Sequence, residues 1–182
     1  MSMSVCSLAQ SMRTDYVKGD EMGHVLALLM PQNALICEVA LHTGLRIGDV
    51  LSLRTAQLKQ QFYITEAKTQ KRRRVNLPEA LLVRIRAQAG EPWAFPGRKP
   101  GRPKTRQAVW ADVKRAARAL RVPANIAPHS LRKRYAVELY HDTGSLEAVQ
   151  RALNHDRPLV TMLYALADTL RTAGGVSGSQ PR

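Results

Sequence analysis

Apolar residues recur at helical spacing along most of the chain and alternate with polar ones in a single place. From Ala34 to His42 the apolar positions Leu35, Ile36, Val39 and Ala40 run up to Gly44, the pattern of a buried helix stopped by a glycine. Upstream, Asp20 is placed to cap a helix reaching about Met30. A further helix is predicted to start near Ile47, with Val50, Leu51 and Leu53 as its apolar face, so Arg46 falls in a helix–helix junction. The stretch Phe62-Tyr63-Ile64-Thr65 is rich in strand formers, and Arg73-Arg74-Val75-Asn76-Leu77 alternates before Pro78. Together they predict a hairpin turning at Thr69 to Lys71, with Lys68 at the end of the first strand or at the tip. A helix over 78–89 leads to Pro92-Trp93-Ala94-Phe95-Pro96 and a basic loop, Gly97 to Lys104. From Thr105 the spacing of Val109, Trp110, Val113, Ala117 and Leu120 is helical again. Three more helices are expected near 129–141, 145–153 and 158–170, with Ser145 as an N-cap and Pro158 in a first turn. The expected fold is α+β, mainly α-helical, with one small antiparallel β-hairpin.

Composition adds a partner to this outline. The chain's 182 residues suit one compact domain over 20–170, a lead-in over 1–19 and a flexible tail over 171–182. Lys and Arg number 28 against 14 Asp and Glu, a formal net charge of +14. Each phosphate neutralised by such a surface releases a condensed counterion, so a nucleic acid is the expected partner, with solubility the alternative use of the charge. No segment approaches the ~18 uninterrupted apolar residues of a membrane span, and the N-terminal residues do not read as a signal peptide. Cys6 and Cys37 fit no metal-ligand spacing, and Cys37 lies in an apolar run where a buried thiol is ordinary. A reduced, cytoplasmic location without metal or other cofactor is the expectation.

Four side chains carry candidate chemistry. His129 and Arg132 are three apart, so a helix presents imidazole and guanidinium on one face, where an Arg could clamp phosphate oxygens and a His could move a proton. A solvated helix start would give the same spacing. His155 follows Leu153-Asn154 at a helix end, where asparagine accepts the left-handed conformation; a histidine favoured by the helix dipole is the plainer alternative. Stepping ~100° per residue, Leu159, Leu163, Leu166 and Leu170 fall within about 40° of one direction, whereas Tyr164 points about 140° from Leu159. Its hydroxyl is therefore free for a partner, or for solvent.

In combination these pieces become specific. Thr43-Gly44-Leu45-Arg46 followed by Asp49, Lys68 in a hairpin, His129-Ser130-Leu131-Arg132, Leu153-Asn154-His155 and Thr161-Met162-Leu163-Tyr164 resemble the catalytic domain of the tyrosine recombinase (phage integrase) family, over about residues 20 to 168. The resemblance implies that Arg46 and Arg132 hold the non-bridging oxygens of a scissile phosphate. It implies that His129 and His155 hydrogen-bond that phosphate, His129 exchanging a proton with Tyr164, and that Lys68 protonates the departing 5′ oxygen. Asp49 would orient the Arg46 region. Tyr164 would form a 3′-phosphotyrosyl bond that conserves the phosphodiester energy, so neither ATP nor a metal is needed.

The chain departs from the family pattern at Asn154, where glycine is common, and at Lys133, where a further histidine is frequent. Many members also carry a helical core-binding domain ahead of the catalytic one, whereas at most about 20 residues precede the recognisable part here. Either the chain is part of a longer enzyme or it is similar to the short fimbrial-switch recombinases. Arg98, Lys99, Arg102, Lys104 and Arg106 around the basic loop, with Lys71 and Arg72 at the hairpin turn, are expected to contact DNA phosphates; Gly101-Arg102-Pro103 also resembles a minor-groove hook. The implied protein is a site-specific recombinase working on double-stranded DNA as a homo-oligomer, dimer to tetramer, with room for accessory DNA-bending proteins. A type IB topoisomerase activity and a non-catalytic helical DNA-binding regulator are the alternatives.

Overall fold

The computed structural model describes residues 19–122 and 125–154. Among them the elements run α1 (Gly19–Ala27), α2 (Pro31–Thr43), α3 (Ile47–Leu51), a 3-10 turn (Thr55–Gln57), β1 (Gln61–Thr65), β2 (Arg72–Asn76), α4 (Glu79–Gln88), α5 (Arg106–Ala119), α6 (Pro128–Thr143) and α7 (Leu146–Leu153). This is the mainly helical α+β class expected, with one two-stranded antiparallel sheet. No helix among the described residues is long and apolar enough to cross a membrane.

The centre of the core is α2. Its buried residues Leu35, Ile36, Cys37, Val39 and Ala40 occupy nearly consecutive positions rather than one stripe, so the helix must be covered on several sides. It packs against α1, α3, α4 and α6, and Met22, Val25, Val50, Leu82, Ile85, Val109 and Leu131 complete the apolar cluster around it. Burial there pushes the Cys37 thiol up to about 12, assisted by the Asp112 and Glu38 charges. The thiol is therefore a small core hydrophobe rather than a reactive group. A smaller cluster of Ala136, Val149 and Leu153 joins α6 to α7.

Two expected boundaries move for one reason. Pro31 disfavours the helical conformation at Met30, whose φ and ψ are −55° and 139°, so α1 ends at Ala27 rather than near Met30. Pro31 then opens α2 three residues before the expected start at Ala34, a first-turn position that suits its fixed φ. Asp20 lies inside α1 and is not its cap. At the junction Asp112 from α5 accepts hydrogen bonds from Met30 N at 2.8 Å and Asn33 Nδ2 at 2.7 Å, doing from a distance what a local cap would do.

The other end of α2 matches expectation and matters more for the site. Gly44 adopts φ 63° and its N–H donates to Ala40 O at 2.8 Å. A Cβ there would sit 2.3 Å from Cδ1 of Tyr135 on α6. Both the left-handed conformation and the ring contact require glycine. We predict that Gly44→Ala destabilises the protein by about 2–4 kcal/mol, combining backbone strain with overpacking. Thermal unfolding checks this, with a Tm drop of about 5–15 °C expected for a domain of this size.

The hairpin pairs Phe62 with Val75 and Ile64 with Arg73. Phe62, Ile64 and Val75 are buried, while Tyr63 faces outward beneath the Arg72 guanidinium, 4.3 Å from the ring centroid. Continuing that alternation by one step turns Glu66 inward. It is wholly buried.

Candidate active site

The turn after α2 is built to present Arg46. Past Gly44 the chain runs extended, and Arg46 takes φ −69° and ψ 144° as the N-cap of α3. Its side chain leaves the core and is one-quarter exposed. The last carbonyl of α2, which has no partner within the helix, and that of the capping glycine are taken by two arginines from elsewhere. Arg73 of β2 donates to Thr43 O, and Arg132 of α6 donates Nη1 to Gly44 O at 2.5 Å.

Arg132 is almost completely buried. Its Nη2 also donates to Leu153 O at 2.5 Å, the last residue of α7. One guanidinium thus ties together the ends of two helices, and it sets where the chain leaves α7 through Asn154, which has φ 49°. The left-handed Asn154 is the helix end expected from the sequence.

His129, in the first turn of α6, shares a cavity of about 460 Å³ with Arg46 and Arg132. The residue as a whole is exposed, yet its imidazole pKa is lowered to about 4, by desolvation of the ring among its neighbours first and then by the positive charges of Lys133, Arg132, Arg46 and Lys68. At neutral pH the ring is therefore uncharged and has a nitrogen able to accept a proton. The unfolded chain binds that proton near pH 6.5 and the folded one only near 4. Stability should consequently fall as pH drops from about 6.5 toward 4, with a shallow slope because solvent screens this exposed residue. Denaturation midpoints measured between pH 7 and 5 should show this slope, and His129→Gln should flatten it.

Lys68 stands in the exposed turn between the strands. The turn is fastened from below: Asp49, buried on α3, accepts from Ala67 N at 2.9 Å. Thr69 Oγ1 donates to Glu66 Oε2 at 3.0 Å, and Gln70 N donates to Glu66 O at 2.8 Å. Lys68 is thus flanked by two anchored residues while its own side chain is exposed. Two guanidiniums on a cavity, an uncharged imidazole and an ammonium nearby can together bind a phosphate, take one proton and supply another.

A family model, described as the phage integrase family, matches residues 17–171. The chain belongs to that family. Integrase-family relatives include a probable integrase/recombinase, YoeC, of Bacillus subtilis, 31% identical over 146 residues that cover 76% of this chain and 80% of the relative. Tyrosine recombinase XerD of Rhizobium meliloti is 36% identical over 144 residues, 72% of this chain and 46% of that protein. Among solved structures, XerH recombinase in a post-cleavage complex with a palindromic difH substrate superposes with TM-score 0.71 at 21% identity, covering 91% of this chain and 53% of that one. A lambda integrase dimer on a COC′ core site gives 0.72 at 19% identity, over 93% and 63%. The chain spans about half the length of XerD and of the XerH chain. The shared fold is that of a tyrosine recombinase catalytic domain, and the family match together with the recombinase relatives favours recombinase chemistry over the topoisomerase and non-catalytic readings.

Within this integrase-type fold the described residues bring together Arg46, His129 and Arg132, with Lys68 in electrostatic reach of His129. His155 and Tyr164 lie outside the described residues. Arg106, grouped with the basic loop as a DNA contact, is the first residue of α5 and lines the same cavity beside the half-exposed Trp110. A Cβ on Gly48 would meet Arg106 Cδ at 3.5 Å, so the arginine stem crosses closely over α3.

The basic loop is more ordered than a solvated loop. Gly97 N donates to Arg102 O at 2.9 Å, Lys104 N to Phe95 O at 2.9 Å, and the Trp93 indole to Gly101 O at 2.9 Å. Arg98, Lys99, Arg102 and Lys104 line a separate cavity of about 1050 Å³. Lys104 is turned inward, its ammonium donating to Gln32 Oε1 at 2.7 Å, and burial lowers its pKa. Lys71 and Arg72 each edge a groove beside Arg151 and Asn154. Sequence reasoning missed Glu66, the carboxylate that accepts Arg46 Nη1 at 2.7 Å. Its signal was the inward alternation Phe62, Ile64, Glu66, since a carboxylate on a buried face needs a cation.

Proposed function

We propose that this protein is a site-specific DNA recombinase that cuts and rejoins DNA through a 3′-phosphotyrosyl bond to Tyr164. The observation that carries the reading is the cavity shared by Arg46, His129 and Arg132, beside a hairpin turn anchored so as to present Lys68. Arg46 and Arg132 bind the non-bridging oxygens and offset the charge that builds in the pentavalent transition state. The Tyr164 oxygen attacks phosphorus, its proton passing to His129, with His155 as a second donor to the phosphate. The 5′ oxygen departs with a proton from Lys68. Rejoining reverses each step, and the phosphotyrosyl bond conserves the energy of the broken phosphodiester, so neither ATP nor a metal is required.

Double-stranded DNA is the partner, engaged as a homo-oligomer from dimer to tetramer, with accessory DNA-bending proteins where the sites require them. Arg98, Lys99, Arg102, Arg106, Lys71 and Arg72 track the phosphates on either side of the scissile one, and Lys104 supports the loop from within. The setting is the cytoplasm. The test is a plasmid bearing two cognate sites. Deletion or inversion between the sites is expected, whereas relaxation of plasmids that lack any site, without exchange, would point to a topoisomerase.

Lys68→Ala should slow cleavage of ordinary DNA by about a hundredfold or more, the usual contribution of a general acid. A substrate whose 5′ bridging oxygen is replaced by sulfur should be cut at a near-normal rate, because a thiolate leaves without a proton. Equal impairment on both substrates would remove Lys68 from this role.

A further inference from the structure

We propose that Glu66 is a positioning residue, a single buried carboxylate that holds the Arg46 guanidinium and the Lys68-bearing turn in one arrangement. The proposal rests on the recombinase reading, and it concerns a group to which the chemistry above gives no task. Glu66 is wholly buried at the end of the inward face of β1. Oε2 accepts from Arg46 Nη1 at 2.7 Å and from Thr69 Oγ1 at 3.0 Å, and Oε1 lies 3.5 Å from Arg73 Nη1. Burial opposes its ionisation, but the hydrogen bonds from Arg46 and Thr69 and the charges of Arg132 and Arg46 outweigh it, and its pKa is lowered.

Geometry assigns the consequence. Arg46 is an N-cap side chain on a short helix, partly exposed, with four rotatable bonds; without a fixed partner it would sample many directions. A charged partner on one η nitrogen fixes the plane of the guanidinium while the rest of the fork remains for a phosphate. The same oxygen that receives Arg46 also receives Thr69, the residue after Lys68. A shift of Glu66 therefore moves the phosphate clamp and the leaving-group acid together, and misplacement by about 1 Å is enough to cost on the order of a hundredfold in rate. Arg73, bonded to Thr43 O and close to Glu66, joins this unit to the end of α2.

The test is single-turnover cleavage, at saturating protein, of ordinary DNA and of the 5′-sulfur substrate by wild type, Glu66→Gln and Thr69→Val. Glu66→Gln loses the charge and should cleave both substrates about ten- to a hundredfold more slowly, with DNA affinity within about threefold of wild type and the fraction of protein able to react unchanged. Thr69→Val loosens only the Lys68 side, so it should slow ordinary DNA by about three- to tenfold and leave the sulfur substrate unaffected. Wild-type rate constants for Glu66→Gln on both substrates would overturn the proposal, as would a loss confined to the reactive fraction, which is the mark of a merely structural role. Should Glu66→Gln fail to fold, Thr69→Val decides: an unchanged ratio between the two substrates overturns the coupling. Absence of any covalent product from wild-type protein on the sulfur substrate would instead count against the recombinase reading itself.

Discussion

Arg132→Ala is expected to lower DNA cleavage by at least about a hundred- to a thousandfold, the loss seen when a preorganised donor to a developing negative charge is removed, and to loosen the fold as well. Arg132 is almost fully buried, and its two η nitrogens hold Gly44 O and Leu153 O. Alanine leaves both carbonyls without that donor, at about 1–3 kcal/mol each where water does not reach them. Arg132→Lys separates the two roles. A lysine keeps the charge but has one nitrogen in place of a planar fork, so it can serve one carbonyl or the phosphate and not all three. It should recover part of the stability while cleavage stays depressed. Thermal unfolding and single-turnover cleavage on one preparation check both parts; cleavage by Arg132→Ala within about threefold of wild type would show that this side chain serves packing alone.

Local signals were legible in the sequence and long-range ones were not. Gly44 ends α2 and Ser145 caps α7, where its hydroxyl accepts from Ala148 N at 3.1 Å, because each depends on a few neighbouring residues. The hairpin was visible in its alternation, and Arg46, Lys68, His129 and Arg132 were visible as residue types in order. That Arg46, His129 and Arg132 share a cavity with Arg106 and Trp110 depends on how α5 crosses α3 at Gly48, which no local pattern encodes. The order of the basic loop likewise comes from contacts outside it, such as the Trp93 indole on Gly101 O with Arg54 stacked 3.6 Å over that ring. Glu66 could have been found, since one more step of the β1 alternation makes it inward-facing beside Lys68.

The largest effect expected of any substitution is at Tyr164, a position read from the sequence and the family resemblance. A phenol of ordinary pKa about 10 is a poor nucleophile at neutral pH. It needs a proton acceptor and a positive field, and an uncharged His129 lines one cavity with Arg46 and Arg132. Tyr164→Phe keeps the ring and removes only the oxygen, so DNA binding should survive while cleavage is lost entirely. The measurement that tests the account most directly is incubation of wild-type protein with a nicked cognate duplex, in EDTA and without ATP, followed by mapping of any covalent protein–DNA adduct. The account predicts an adduct on the Tyr164 oxygen that Tyr164→Phe cannot form; an adduct on Tyr135, Tyr140 or a serine, or one that persists in Tyr164→Phe, would contradict it.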